Sequence, residues 1–246
     1  MVDRGIFLSM SGAKGSMQQL GIISNNLANA NTIGFRADYE AIKSDQSTQK
    51  STRSYSLPER TYSDFRSGPM SVTGRALDVA VEGPGFIAVQ TKEGKEAYTR
   101  AGNLDINAQG FLVTARGDLV LGTSGILSIP KAQSLTIDRV GQVAVVGQGE
   151  SNKDLAVVGQ IKLVDVPVDQ LQKGADGLFH IIGDGNAKES KTVRLAPETL
   201  EGSNVNTVKS MVDLIDLSRQ FEMHSRLIKS LEDNTARSNQ LLDITK

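Results

Sequence analysis

The sequence predicts an α+β fold. Long helices at the two ends of the chain pair in a coiled-coil-like way, and an all-β domain, sandwich- or barrel-like, is inserted between them. Three observations predict it. Apolar residues near both termini recur at alternating intervals of four and three, the period of a helical seam. From Leu77 the apolar period falls to two, with Gly-rich turns between short runs, the pattern of an antiparallel β domain. The chain has no Trp, only 4% aromatic residues and 24 Gly, a mix that suits an aliphatic, turn-rich core better than an aromatic-lined pocket. The helical domain is therefore discontinuous, residues 1–36 and 204–246, with an extended polar arm over 37–76 and the β domain over 77–203.

The first helix carries Ile6, Met10, Ala13, Met17, Leu20, Ser24 and Leu27, spaced 4, 3, 4, 3, 4, 3. One register of this seam holds Asp3, Met10, Met17 and Ser24, the other Ile6, Ala13, Leu20 and Leu27. Asn25, Asn26, Asn29 and Asn31 crowd its end. Asn competes for its own backbone and is a poor interior helix residue, so these side chains are expected to satisfy helix-end or intersubunit backbone groups. Gly34 stands where a left-handed residue would stop the helix.

Between Ser44 and Ser54 there is no apolar residue. Such backbone cannot bury itself; it reads as a linker, or as an arm that orders when a neighbour covers it. Single apolar residues follow at Tyr55, Leu57, Tyr62, Phe65 and Met70. Strands are predicted over Leu77–Val81, Phe86–Thr91, Ala97–Arg100, Leu104–Ile106, Phe111–Thr114, Leu119–Leu121, Ile126–Ile129, Ser134–Asp138, Gln142–Val146, Leu155–Val166, Leu178–Ile182 and Thr192–Leu195. The run Leu155–Val166 is the most hydrophobic of these and is expected to be central.

The second helix is predicted from about Asn206 to about Asp243, with Asn204 as N-cap and Asn206 as the alternative. Its seam is Leu214, Leu217, Phe221, His224, Ile228, Leu231, Thr235, Ser238 and Leu242, and its surface is charged. Two such helices are marginal in water alone, because most helix stability comes from packing. An antiparallel hairpin within one chain meets the spacing. The fuller reading is that the seams meet each other and the outer faces meet other chains, with Met10, Met17, Leu20, Leu27, Leu217, Phe221, Ile228 and Leu231 carrying assembly.

The bulk properties exclude several functions. A formal net charge of −1 over 246 residues lacks the clustered Lys and Arg of a nucleic-acid binder. There is no Cys, so disulfides and thiolate metal sites are ruled out. No window of about 18 apolar residues suggests a membrane span. Met1–Gly5 does not lead into an ordinary signal peptide, so export, if it occurs, is expected to use another route. His180 and His224 show no second His or carboxylate at a ligand spacing, and no metal site is expected. Asp176-Gly177 and Asp184-Gly185 lack the alternating oxygen ligands of a calcium loop and read as turns. Gly83-Pro84-Gly85 and Gly147-Gln148-Gly149 do not lead into helices and are not phosphate cradles. No nucleophile elbow or zinc-protease motif occurs. Neither an enzyme nor a cofactor is expected.

Several blocks resemble one family, in the right order. Ser24-Asn-Asn-Leu-Ala-Asn-Ala-Asn-Thr-Ile-Gly-Phe-Arg36 closely resembles the N-terminal signature of bacterial flagellar rod and hook proteins. Thr73–Phe86, Tyr98–Leu104, Asn107–Gly110, Leu200–Asn206 and Met211–Ile215 look like further blocks of it, while residues 115–195 carry little signature. The opening residues and modest length look most like a proximal-rod subunit, a distal-rod or hook paralogue being the alternative. The resemblance implies an axial tube of helically arranged subunits, with self and other rod subunits as partners, the terminal helices lining the inside and the β domain facing outward. It also implies export, unfolded and uncleaved, through the flagellar type III apparatus, and assembly in the periplasmic space. A reading of another class is a monomeric β-sandwich module that binds glycans; the absence of Trp speaks against its aromatic platform.

Overall fold

The computed structural model describes residues 2–44, 56–130, 134–147, 155–183 and 185–243. The chain divides into two compact units, one of residues 1–30, 37–64 and 205–246, the other of residues 31–36 and 65–204.

The first unit holds α1 (Val2–Ala28), a hairpin of β1 (Asp38–Ser44) and β2 (Ser56–Ser63), and α2 (Thr207–Asp243). The two helices pack along each other. Gly5 faces Leu231 and Gly12 faces His224, so they run antiparallel. One register of the expected seam is present: Ile6, Ala13, Leu20 and Leu27 are half-buried. The other is replaced. Met10 and Met17 are 57% and 65% exposed. The positions turned inward are Gly5, Ser9, Gly12, Ser16 and Asn26, with Ser9, Ser16 and Asn26 buried. A three-four repeat does not say which of its phases faces the partner. Small residues settle it here, because they let the backbones approach closely. A Cβ on Gly12 would lie 2.6 Å from Cε1 of His224.

α1 ends at Ala28, sooner than expected, because the Asn side chains take over its last turn. Asn29 Nδ2 donates to the Asn25 carbonyl at 3.0 Å. Asn26 reaches forward to β1: its Nδ2 donates to the Asp38 carbonyl at 2.6 Å and its Oδ1 accepts from the Asp38 amide at 2.8 Å. This pair imitates a strand partner and fixes the turn from helix to hairpin. Tyr39 pairs with Tyr62 across the hairpin, rings stacked at 6.1 Å. The arm expected over 37–76 therefore contains paired strands; the apolar-free stretch, apart from Ser44, lies outside the described residues. α2 opens on the second of the two N-cap choices, with the Lys209 amide donating to Asn206 Oδ1 at 2.9 Å.

In the second unit all strand pairings among the described residues are antiparallel. Short strands begin it: β3 (Met70–Val72), β4 (Val79–Glu82), β5 (Phe86–Gln90), β6 (Glu96–Thr99), β7 (Leu104–Ile106), β8 (Leu112–Thr114), β9 (Leu119–Gly122) and β10 (Gly125–Ile126). They continue as β11 (Ser134–Ile137), β12 (Gln142–Val146), β13 (Leu155–Gln160), β14 (Leu163–Val164), β15 (Leu171–Lys173), β16 (Phe179–Ile181), β17 (Arg194–Pro197) and β18 (Thr199–Glu201). The main sheet runs β15-β16-β6-β5-β9-β8-β7, with β10 on β9 and β14 on β5. Smaller ladders are β11-β12-β13, β17-β4 and β18-β3.

Alternation along β5 sorts the interior into two clusters. Ile87 and Val89 join an aliphatic core with Val79, Leu104, Leu112, Val120 and Ile161, while Phe86 and Ala88 join Tyr98, Val164 and Phe179. Successive strand side chains point to opposite faces, so one strand feeds both. The Leu155–Val166 run is not one central strand. It breaks at Ile161, whose amide donates to the Gly141 carbonyl at 2.8 Å, and Lys162, whose amide donates to the Leu121 carbonyl at 2.8 Å. β13 becomes the edge of the three-stranded ladder and β14 crosses to β5.

Candidate assembly surface and a buried charge cluster

The twelve residues picked out from the sequence separate into groups. Leu217 is buried, and Leu20, Leu27, Ile228 and Leu231 are half-buried along the faces where α1 and α2 pack. Met10, Met17 and Phe221 are exposed, Phe221 at 40%. Asn26 is buried on β1, Asn29 is half-buried, and Asn25 and Asn31 are exposed. Beyond these, α2 exposes Val208, Met211, Val212 and Ile215 near its start and Met223 and Leu227 further on, and α1 exposes Leu8. Large apolar side chains clustered in the open mark interaction surfaces. The signal for the α2 group was present in the sequence as Val208-x-x-Met211-Val212-x-x-Ile215, but the seam drew attention to the opposite face.

A second feature was not legible. In the β-rich unit, Arg36 and Glu201 lie fully buried, with Arg36 Nη2 donating to Glu201 Oε1 at 2.8 Å. Arg100 Nη1 donates to Glu201 Oε2 at 3.2 Å, and its Nη2 donates to the Gly83 carbonyl at 2.6 Å. Arg100 also lies over the Phe86 ring at 5.3 Å. Burial, then the neighbouring Arg36 charge, pull the Arg100 guanidinium below its usual range, and Glu201 opposes them. Gly34 sits beside this cluster with φ +67, its amide donating to the Glu201 carbonyl at 2.8 Å. It is left-handed as expected, but it does not cap the helix; a Cβ there would run into the backbone of Arg100 and Ala101. All three charged residues fall in blocks that carry the family resemblance, yet nothing in the sequence couples positions 165 apart.

Elsewhere the polar groups form structural pairs. Glu96 accepts from Lys162 Nζ at 2.8 Å and from the Tyr98 hydroxyl at 3.0 Å. Burial pushes the Tyr98 phenol up to about 12. His180 does have a carboxylate neighbour, Asp176 at 3.0 Å across the hairpin turn. Among the described residues no group of three His, Asp or Glu side chains could hold a metal ion, and no helix is long and apolar enough to cross a membrane.

Comparison with known proteins accounts for these blocks. Profiles of the flagella basal body rod protein match residues 8–36, of the flagellar hook protein FlgE/F/G D1 domain residues 80–145, and of the flagellar basal body rod FlgEFG protein C-terminal residues 196–241. The chain is 35% identical to the flagellar basal-body rod protein FlgF of Escherichia coli K12, with 99% of this chain and 100% of the relative covered. The chain belongs to the flagellar basal-body rod protein family. Its identity to FlgF of Salmonella typhimurium is 33%, over 99% of this chain and all of the relative. To FlgG of Buchnera aphidicola it is 29%, over 96% and 98%. Rod-family membership makes this a structural protein rather than an enzyme at the level of the family. It also gives the three matched blocks a common context: Arg36 closes the first and Glu201 lies in the last.

Proposed function

We infer that this chain is a structural subunit of the flagellar basal-body rod, polymerising with copies of itself and with other rod subunits. The placement we propose is the proximal rod, favoured over a distal-rod or hook paralogue by the higher identity to the FlgF relatives. In this reading the rod is a hollow drive shaft in the periplasmic space, reached by type III export without signal cleavage. The terminal segments 1–36 and 204–246 form its coiled-coil-like core domain, 37–76 reaches to neighbours, and the sandwich-like β domain is residues 77–203.

The observation that carries this reading is the apolar surface left on the paired helices. With their mutual faces occupied, α1 still exposes Met10 and Met17, and α2 exposes Val208, Met211, Val212 and Ile215. Two different apolar faces on one subunit favour a heterologous contact, and heterologous contacts that do not close build helical filaments. The unpolymerised subunit gains stability when a neighbour covers those faces.

The test is the double variant Met10→Asp with Met17→Asp, expressed in a strain lacking the wild-type subunit. Helical circular dichroism of the purified chain is expected to be unchanged, since neither side chain sits between α1 and α2. Basal bodies are expected to lack a complete rod, and cells to be non-motile. Normal rods and normal swimming would sink the reading.

A further inference from the structure

The sequence holds no Cys and six Met, so thioethers are its whole stock of sulfur. Methionine is ordinarily a core residue, yet here the placement is reversed. The five described methionines, Met10, Met17, Met70, Met211 and Met223, are all exposed, by 46% to 65%. Neither core cluster of the β-rich unit contains one. Four of the five stand on the outer faces of the paired helices. Met10 and Met17 are two helical turns apart and share one side of α1. Met211 lies among the exposed Val208, Val212 and Ile215, and Met223 lies one turn from the exposed Leu227. Under the assembly reading, on which this inference rests, a neighbouring subunit covers these faces.

A flexible, polarisable thioether suits a contact surface. It also gives that surface a chemistry that Leu or Ile lacks. We propose that Met10, Met17, Met211 and Met223 are modification sites, at which a peroxide converts the unassembled subunit into a sulfoxide form that does not assemble. Each sulfur donates an electron pair to one peroxide oxygen. An S–O bond forms as the O–O bond breaks, the departing hydroxide takes the proton from the transferred oxygen, and water leaves. The sulfur is oxidised by two electrons and the peroxide is reduced by two. A flexible apolar side chain thereby becomes a polar one. Pressed against the apolar side chains of a neighbour, the S=O group loses its water and gains no donor, which is costly. The fold of the chain is spared, because the four exposed side chains do not sit between α1 and α2. In an assembled rod the sulfurs are covered, so the block falls on the addition of new subunits. Enzymatic reduction of the sulfoxides lifts it.

The test starts with the full wild-type chain in hydrogen peroxide. Peptide mass spectrometry is expected to find sulfoxide at all four positions, formed about as fast as in a protease digest of the same chain. Helical circular dichroism is expected to stay unchanged. Met10 and Met17 that resist peroxide overturn the proposal. Loss of the helical signal overturns it too, because oxidation then acts by unfolding the chain. The consequence for assembly is read in cells with Gln, an uncharged polar residue of similar helix propensity. Met10→Gln with Met17→Gln, and separately Met211→Gln with Met223→Gln, are each expected to cut the number of complete rods by on the order of tenfold. Normal rods from either pair overturn the proposal. If Met10→Asp with Met17→Asp blocks rods while the Gln pairs build them, only the sulfoxide switch falls. If all three variants build normal rods, the assembly reading falls with it.

Discussion

Glu201→Gln tests the buried cluster most directly. The change is nearly isosteric, so packing is kept and one carbonyl oxygen remains to accept from Arg36 or Gly68. What disappears is the negative charge between two buried guanidiniums, with Glu201 and Arg36 side chains both fully enclosed and Arg100 only 4% exposed. Removing one partner of a buried pair leaves an uncompensated charge and costs about 3–5 kcal/mol. For a unit of this size, each kcal/mol lowers the melting temperature by roughly 2–4 °C, so a fall of about 6 to 20 °C is expected. The control is Glu93→Gln, which removes an exposed pair with Lys95 at 3.7 Å, both side chains more than three-quarters exposed. Such pairs contribute little, and its melting point should stay with wild type. Differential scanning calorimetry of both variants measures the difference. A Glu201→Gln melting point within a degree or two of the control would refute the claim that this charge is structurally required.

Three other outcomes follow from the geometry. Gly15→Ala, where an added Cβ meets nothing within 4 Å, should stabilise α1 by up to about 1 kcal/mol through helix propensity. Gly12→Ala should lose that gain to overpacking against His224; urea melts that place the two variants together would show that the helices do not approach closely there. Asn26→Ala removes both side-chain bonds to the Asp38 backbone, at about 1–3 kcal/mol, and should raise amide exchange in β1 while leaving the β-rich unit protected. For Tyr98, the folded phenol titrates at about 12 against the ordinary 10.0, so the unfolded chain releases its proton first. Its contribution is therefore complete below pH 10 and is lost as the pH climbs from about 10 to 12. Tyr98→Phe should flatten that part of the stability-versus-pH curve.

The helices and most of the strands were legible in the sequence because each is written locally. The 3-4 spacing marks α1 and α2, Asn206 marks the start of α2, and alternation from Leu77 marks the early strands. The facing of α1 was harder. Its Met10 and Met17 are the bulkier members of a repeat whose inward positions are Gly, Ser and Asn, and hydrophobicity alone ranks them the wrong way. Close backbone approach is a property of the pair of helices, not of either one. Of the strands missed, β15 and β18 are three residues each with a single apolar side chain, Leu171 and Leu200, so no alternation registers, and β3 falls in the segment read as an arm. β1 and β2 fall in the extended polar arm expected over 37–76, because their pairing joins two mostly polar segments. The Arg36–Glu201 pair was invisible for a different reason: each residue alone looks like an ordinary surface charge.

That pair also bears on the order in which the polypeptide can fold. Residues 34–36 and 201–204 run side by side, joined by the Gly34 amide to the Glu201 carbonyl and by the Asn204 amide, at 3.4 Å, to the Phe35 carbonyl. A free chain that brought α1 to α2 first would have to close a loop of more than 165 residues, an entropic cost of about 4.5 kcal/mol before any favourable contact is made. Once the β-rich unit has formed, that loop is already closed and the helical segments leave it as near neighbours. Pairing of α1 with α2 then closes only a short additional loop, at a correspondingly smaller entropic cost.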